Sequence, residues 1–167
     1  MPIKIPRAGV NFMTLFEQQI AEVKISYSHI VKPSEQPKIT CSSDAYNYMR
    51  DRWPDLDYRE RFGVLLLSRA NRILGFCWIS MGGTSGTIVD VKNIYQVALK
   101  TNSSSIILCH SHPSGNTDAS DADIKITRKI VTAGHFLDIS VLDHVILTSE
   151  SYMSMADEGI LPSANNS

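Results

Sequence analysis

The sequence predicts an α/β fold in which a mixed sheet is covered by helices on both faces. Residues 60–68 and 73–80 are apolar, β-prone and joined by a tight turn, which is typical of a hairpin. Further β-like segments lie at 105–109, 139–142, 144–148 and 152–155, and helical spacing precedes the first two of these. Hairpin strands beside strands separated by helices indicate a mixed sheet. Apolar residues on both faces of 60–68 indicate a central, covered strand.

Three helices are predicted around these strands. Ser43 is a cap residue ahead of 44–52, and the spacing of apolar residues predicts a second helix at 91–101. Ser120 caps a third helix that carries aspartates in its first turn, and Gly134 is its expected C-terminal cap.

The chain is long enough for one domain with a sizeable core. We expect this domain to occupy 38–161. The N-terminal extension, 1–37, contains a weak helical pattern at 12–21 and an alternating strand pattern at 23–27. Residues 162–167 form a polar tail that we expect to be disordered.

Composition excludes several classes of protein. The net charge of −1 disfavours a dedicated nucleic-acid binder and predicts weak DNA binding at physiological salt. Cys41, Cys77 and Cys109 are scattered, so no disulfide framework or paired-cysteine metal site is predicted, and a reducing cytoplasmic location is expected. No run approaches the ~18 apolar residues of a membrane span, so we expect no membrane association.

Two histidines and an aspartate form the candidate site. His110 and His112 follow the buried strand 105–109, and alternation along a strand sends both side chains to the same side. A turn then leads to the helix that begins after Ser120 and carries Asp123. Two imidazoles and one carboxylate are a three-ligand set for a divalent metal of the zinc type. Water would hold the fourth position, as in catalytic sites.

Each of these residues also has a structural interpretation. The pattern Ser120-x-x-Asp123 is a common helix cap, and a lone histidine at a strand end is usually solvated or structural. Cys109 adjoins His110 but points to the other face of the strand, so we assign it to the core rather than to the ligand set.

A family resemblance bears on this choice. The run His110-Ser-His112-Pro-Ser-Gly115, with Ser120-x-x-Asp123 downstream, resembles the JAMM (MPN+) metalloprotease signature, and its Pro-Ser-Gly resembles the RadC family. The likeness extends over residues 39–161. It implies a three-layer JAMM/MPN sandwich related to the cytidine deaminase fold, with zinc as cofactor.

The sequence departs from the family pattern at two places. Ser111 occupies a position that is often Asn in this family. Residues 1–37 show no glycine pattern of the helix-hairpin-helix region that precedes the domain in many members.

The resemblance also implies catalytic roles. Glu60 corresponds to an upstream glutamate that acts as general base and then as acid to the leaving amine, and Ser120 donates a hydrogen bond to the developing oxyanion. Without the resemblance, the favoured interpretation of Glu60 is a solvated charge at a strand start, and the resemblance reverses this preference. The capping role of Ser120 competes with the oxyanion role for one hydroxyl.

The predicted function is a zinc-dependent hydrolase that cleaves an amide or peptide bond in a peptide or protein. The family name links it to DNA repair. An alternative is a non-catalytic module that docks on protein or DNA during repair or mobile-element transfer. Phosphodiester cleavage is disfavoured, because nucleases more often use two metals held by several carboxylates, and only Asp121 and Asp123 are available.

Overall fold

A computed structural model describes residues 26–28, 31–82 and 89–164. A five-stranded sheet has the order β2-β1-β3-β4-β5. The strands are β1 Arg61–Leu67, β2 Ile73–Met81, β3 Ser105–Ser111, β4 Ser140–Leu147 and β5 Tyr152–Ser154. β3 and β4 pair in parallel and the other neighbours pair antiparallel, so the predicted mixed sheet is confirmed.

Helices cover both faces of this sheet. They are α1 Ser42–Arg50, α2 Val91–Lys100 and α3 Asp121–Phe136, and a short 3-10 turn spans Pro33–Glu35. α1 packs Met49 into an apolar cluster on one face, whereas Ile94 of α2 and Ile130 of α3 belong to a second cluster on the opposite face. The three-layer architecture predicted from the sequence is therefore confirmed.

The parallel pair of strands determines where α3 lies. Parallel neighbours cannot be joined by a hairpin, so α3 forms the crossover from β3 to β4. Ile106 and Leu108 of β3 face the α2 and α3 layer, and Ile107 and Cys109 face α1. Cys109 is fully buried among apolar residues, as predicted, and its burial raises the pKa of the thiol.

Two predicted boundaries were wrong. The N-cap of α1 is Cys41 rather than Ser43. The Asp44 carboxylate supports this end of the helix, because it accepts hydrogen bonds from the N–H and hydroxyl of Thr40 at 2.8 and 2.7 Å. Residues 139–142 and 144–148 were predicted as separate β segments, but β4 runs through Asp143 without a break.

Asp143 interrupts the run of apolar residues in the sequence, and this is why two separate segments were predicted. In the structure it is buried within β4. Its Oδ1 accepts the N–H groups of His144 and Ala156 at 2.7 and 3.0 Å, and its Oδ2 accepts the Ser154 hydroxyl at 2.6 Å. These bonds let a carboxylate occupy the strand interior, since buried polar groups need partners.

The described residues leave some predictions outside their range. Outside the described residues lie the predicted helix 12–21, most of the predicted strand 23–27 and the end of the 162–167 tail. Residues 26–28 are described, and they are not in a strand. In the part of the chain that the structure describes, no helix has the length and apolar character needed to cross a bilayer.

Gly134 lies inside α3 rather than at its end, so the predicted C-terminal cap was wrong. The helix continues to Phe136, and the residue with left-handed backbone is Asp138, at φ 54°. A Cβ at position 134 would lie 2.3 Å from the Ile139 carbonyl oxygen and 2.5 Å from the Tyr95 hydroxyl. Glycine is required here because the backbone turn and α2 approach the helix too closely for any side chain.

Gly134→Ala should lower the free energy of unfolding by about 1–3 kcal/mol, the usual range for overpacking, although Ala is the better helix former. Urea unfolding measures the effect. Gly75→Ala in β2 is the matched control, because its Cβ would meet only Leu66 at an ordinary 3.8 Å. A Gly134→Ala protein as stable as the wild type would contradict the close packing.

Candidate metal centre

The end of β3 carries the two histidines. His110 is the penultimate residue of the strand, buried on the face that α3 covers. His112 follows the last strand residue, and its N–H still donates to the Leu147 carbonyl at 2.9 Å. This bond extends the pairing with β4 by one residue, so both imidazoles lie at one fixed edge of the sheet.

The start of α3 carries the aspartate. Asp123 is the third residue of the helix, and its N–H donates to the Ser120 hydroxyl oxygen at 3.2 Å. In return, Asp123 Oδ2 accepts the Ser120 N–H at 2.9 Å and the Ser120 hydroxyl at 2.5 Å. This capping box holds the carboxylate in one orientation, at the helix end where the dipole favours negative charge.

The three side chains converge. One ligand atom from each of His110, His112 and Asp123 lies within 4.8 Å of the others. His110 Nδ1 is 3.0 Å from Asp123 Oδ1, and His112 Nε2 is 3.6 Å from Asp123 Oδ2. Within the described residues this group can hold a metal ion, and it consists of the three ligands predicted from the sequence.

Hydrogen bonding selects the ring nitrogen that His112 presents. Its Nδ1 lies 2.8 Å from the carbonyl oxygen of Asn116. A carbonyl can only accept, so Nδ1 carries a proton and donates it. In the neutral ring the lone pair is then on Nε2, the nitrogen that faces Asp123. Such a bond to the second nitrogen is typical of metal-binding histidines.

His110 lacks such a partner. Both of its ring nitrogens are buried, and neither has a hydrogen-bond partner among the described residues. The 3.0 Å approach of Nδ1 to the Asp123 carboxylate therefore lacks the direction of a hydrogen bond. Buried polar atoms without partners are uncommon and call for an explanation. A cation bound by both His110 and Asp123 would explain why the nitrogen that faces Asp123 has no hydrogen-bond partner.

The charges in the site are coupled. Burial opposes ionisation of Asp123, but the adjacent His110, His112 and Ser120 groups outweigh it and hold the pKa of this carboxyl well below its usual range. The Asp123 carboxylate raises the pKa of His112 against the opposing effect of burial, with smaller contributions from Asn116 and Glu60. A metal ion must displace the His112 proton, so binding should weaken in acid.

Glu60 lies at the same edge of the sheet. It immediately precedes β1, in which Phe62 is paired with His110 of β3. Continuing this antiparallel register by two residues brings Glu60 opposite His112. The negative charge of Glu60 makes a small contribution to the raised pKa of His112.

Ser111 has a role that the sequence did not reveal. Its hydroxyl accepts the N–H of Arg61 at 2.9 Å and donates to the carbonyl of Arg59 at 3.0 Å. These two bonds hold the backbone on both sides of Glu60. No local pattern predicts these bonds, because the two partners lie 50 and 52 positions earlier in the chain.

A second buried layer supports Asp123. The Thr127 hydroxyl donates to the Asp123 carbonyl at 2.5 Å, so its oxygen must accept the Nδ1 proton of His144, 2.6 Å away. Burial, together with the charge of His110, lowers the pKa of His144 to about 3, so this ring stays neutral. Through Thr127, His144 holds the turn of α3 that bears Asp123.

Ser120 acts as a helix cap in this structure. Its hydroxyl proton is donated to Asp123, and its oxygen accepts the Asp123 N–H. The sequence predicted this use alongside that of oxyanion donor.

Ser111→Ala should cost about 1–2 kcal/mol of unfolding free energy, because the Arg61 N–H and the Arg59 carbonyl lose their partner. Amide exchange at Arg61, measured by NMR, should accelerate. The matched control is Ser80→Ala, since the buried Ser80 hydroxyl has no hydrogen-bond partner among the described residues. Equal effects of the two substitutions on stability and exchange would contradict the role of Ser111.

Comparison with known proteins identifies relatives. The model of the RadC-like JAB domain family matches residues 39–160. A UPF0758 protein of Flavobacterium johnsoniae is 45% identical over 123 residues, which cover 74% of this chain and 53% of the relative. UPF0758 proteins of Desulfitobacterium hafniense and Salinibacter ruber are 38% and 35% identical, over 77% and 76% of this chain and 56% and 54% of their own lengths.

The chain thus spans about half the length of the curated relatives it matches. The matched region contains the strand end, the helix start and the whole sheet described above. On both the family match and the identity to these relatives, the chain belongs to the RadC-like JAB domain family.

Proposed function

We propose that this protein is a zinc-dependent hydrolase that cleaves an amide or peptide bond in a peptide or protein. The observation that carries the proposal is the convergence of His110, His112 and Asp123 within 4.8 Å at the sheet edge where Glu60 also lies. The family match supports the same reaction class.

The donor set fits zinc. Two imidazole nitrogens and one carboxylate oxygen are common zinc ligands and leave one tetrahedral position open. With metal–ligand bonds of about 2.1 Å, tetrahedral donors lie about 3.4 Å apart. The separations of 3.0 Å from His110 Nδ1 to Asp123 Oδ1 and 3.6 Å from His112 Nε2 to Asp123 Oδ2 are each close to that value, and they end on different oxygens of the carboxylate. His110 Nδ1, which is buried without a hydrogen-bond partner and lies beside Asp123, adds to this fit.

When bound, zinc supplies a nucleophilic water at neutral pH and polarises the substrate carbonyl. Glu60 takes the proton of the attacking water and passes it to the leaving amine. Ser120 turns its hydroxyl proton from Asp123 to the developing oxyanion. His112 is kept in place by Asn116, and Asp123 by the capping box and Thr127.

Protein purified without added metal should contain zinc at close to one ion per chain, and His112→Ala should lose most of it. Removing one of three protein ligands leaves too few donors for a stable site. Elemental analysis measures the content. His135→Ala, an exposed histidine near the end of α3, is the control that should keep its zinc. Equal zinc in His112→Ala and the wild type would remove the proposed centre.

Glu60→Gln should retain zinc but lower kcat for peptide cleavage by about 10²- to 10⁴-fold, the usual contribution of a general base. Screening the zinc-loaded wild type against a peptide library supplies the substrate for this measurement. Glu158→Gln, an exposed glutamate, is the control and should leave kcat unchanged. If Glu60→Gln kept full activity, another residue would have to be the general base. If the zinc-loaded wild type cleaved no peptide in the library, the alternative of a non-catalytic docking module would be favoured.

A further inference from the structure

A cavity of about 190 Å³ adjoins two of the three metal-ligand candidates. Its lining is formed by Phe62, Val89, His110, Ala122, Asp123 and Ile126. Apart from the two ligands, all these side chains are apolar. One end of the cavity is therefore polar and is formed by the metal-ligand candidates His110 and Asp123, where the proposed reaction takes place. The rest of its wall is apolar.

Most of the apolar wall comes from β1 and α3, and α3 also carries the ligand Asp123. Phe62 of β1 lies on the face of His110, with ring centroids 5.9 Å apart. Ala122 and Ile126 are four residues apart in the first turns of α3, so they share one side of the helix that also bears Asp123. The spacing between the metal-binding end and the wall is thus fixed by the fold.

We infer that this cavity is the subsite for an apolar substrate side chain next to the cleaved amide bond. The inference rests on the proposed function and adds a substrate class to it. The volume is below the ~300 Å³ at which cavities for whole drug-sized ligands begin, but it suits a side chain of about the size of leucine.

The lining disfavours a charged substrate side chain. Among the described residues that line the cavity none is cationic, and the one carboxylate is Asp123, which the metal would engage. Burying a charged side chain against Phe62 and Ile126 would leave it without a partner, which is strongly unfavourable. An aliphatic side chain gains free energy there in proportion to the apolar surface it buries.

Amino-acid hydroxamates test this directly, because the hydroxamate group chelates zinc and the side chain lies beside it. L-Leucine hydroxamate should bind the zinc-loaded protein at least about tenfold more tightly than glycine hydroxamate, measured by calorimetry. L-Aspartate hydroxamate should show no gain over the glycine compound. These measurements require no catalytic turnover.

Ala122→Leu should fill the cavity and reduce the leucine-to-glycine ratio to about threefold or less, with zinc content unchanged. Ala156→Leu is the matched control, because this exposed alanine lies outside the cavity lining. It should keep the wild-type ratio.

The outcomes separate this inference from the proposed function. Equal binding of the leucine and glycine compounds to the wild type, or an unchanged ratio in Ala122→Leu, would overturn the subsite and leave the zinc centre intact. If neither compound bound the zinc-loaded protein, the open metal position would be refuted, and the subsite with it.

Discussion

The capping box at the start of α3 is the interaction on which the site depends. The two hydrogen bonds from Ser120 fix Asp123 Oδ2, and this leaves Oδ1 facing His110. Because α3 is the crossover between the parallel strands β3 and β4, its first turn must lie at the end of β3. A local helix-end interaction and a long-range topological constraint therefore place a carboxylate against two imidazoles.

The residues that support the site act on its backbone. Ser111 bonds to the peptide groups on both sides of Glu60, and Thr127 bonds to the carbonyl of Asp123. Backbone contacts position a side chain without occupying the atoms that it uses for chemistry. His144 completes the second layer as a neutral ring, since burial lowers its pKa to about 3. It adds no positive charge beside a proposed cation site.

Local patterns in the sequence predicted the strand end, the helix start and the ligand set, because strand alternation and cap chemistry act over a few residues. They failed where contacts come from distant parts of the chain. The local pattern predicts a helix end at Gly134, whereas the glycine is required by the close approach of Tyr95 and Ile139. The hydrogen bonds of Ser111 depend on the register between β1 and β3, which no local pattern determines.

The two uses of Ser120 conflict less than its single hydroxyl suggests. The cap comprises three bonds, and only one of them uses the hydroxyl proton. Rotation about the Cβ–Oγ bond moves this proton alone, so the oxygen can still accept the Asp123 N–H while Oδ2 keeps the backbone N–H of Ser120. The cost is one hydrogen bond, about 0.5–1.5 kcal/mol, which a bond to the developing oxyanion would replace. A helix cap can therefore serve as an oxyanion donor without unwinding the helix that positions the carboxylate.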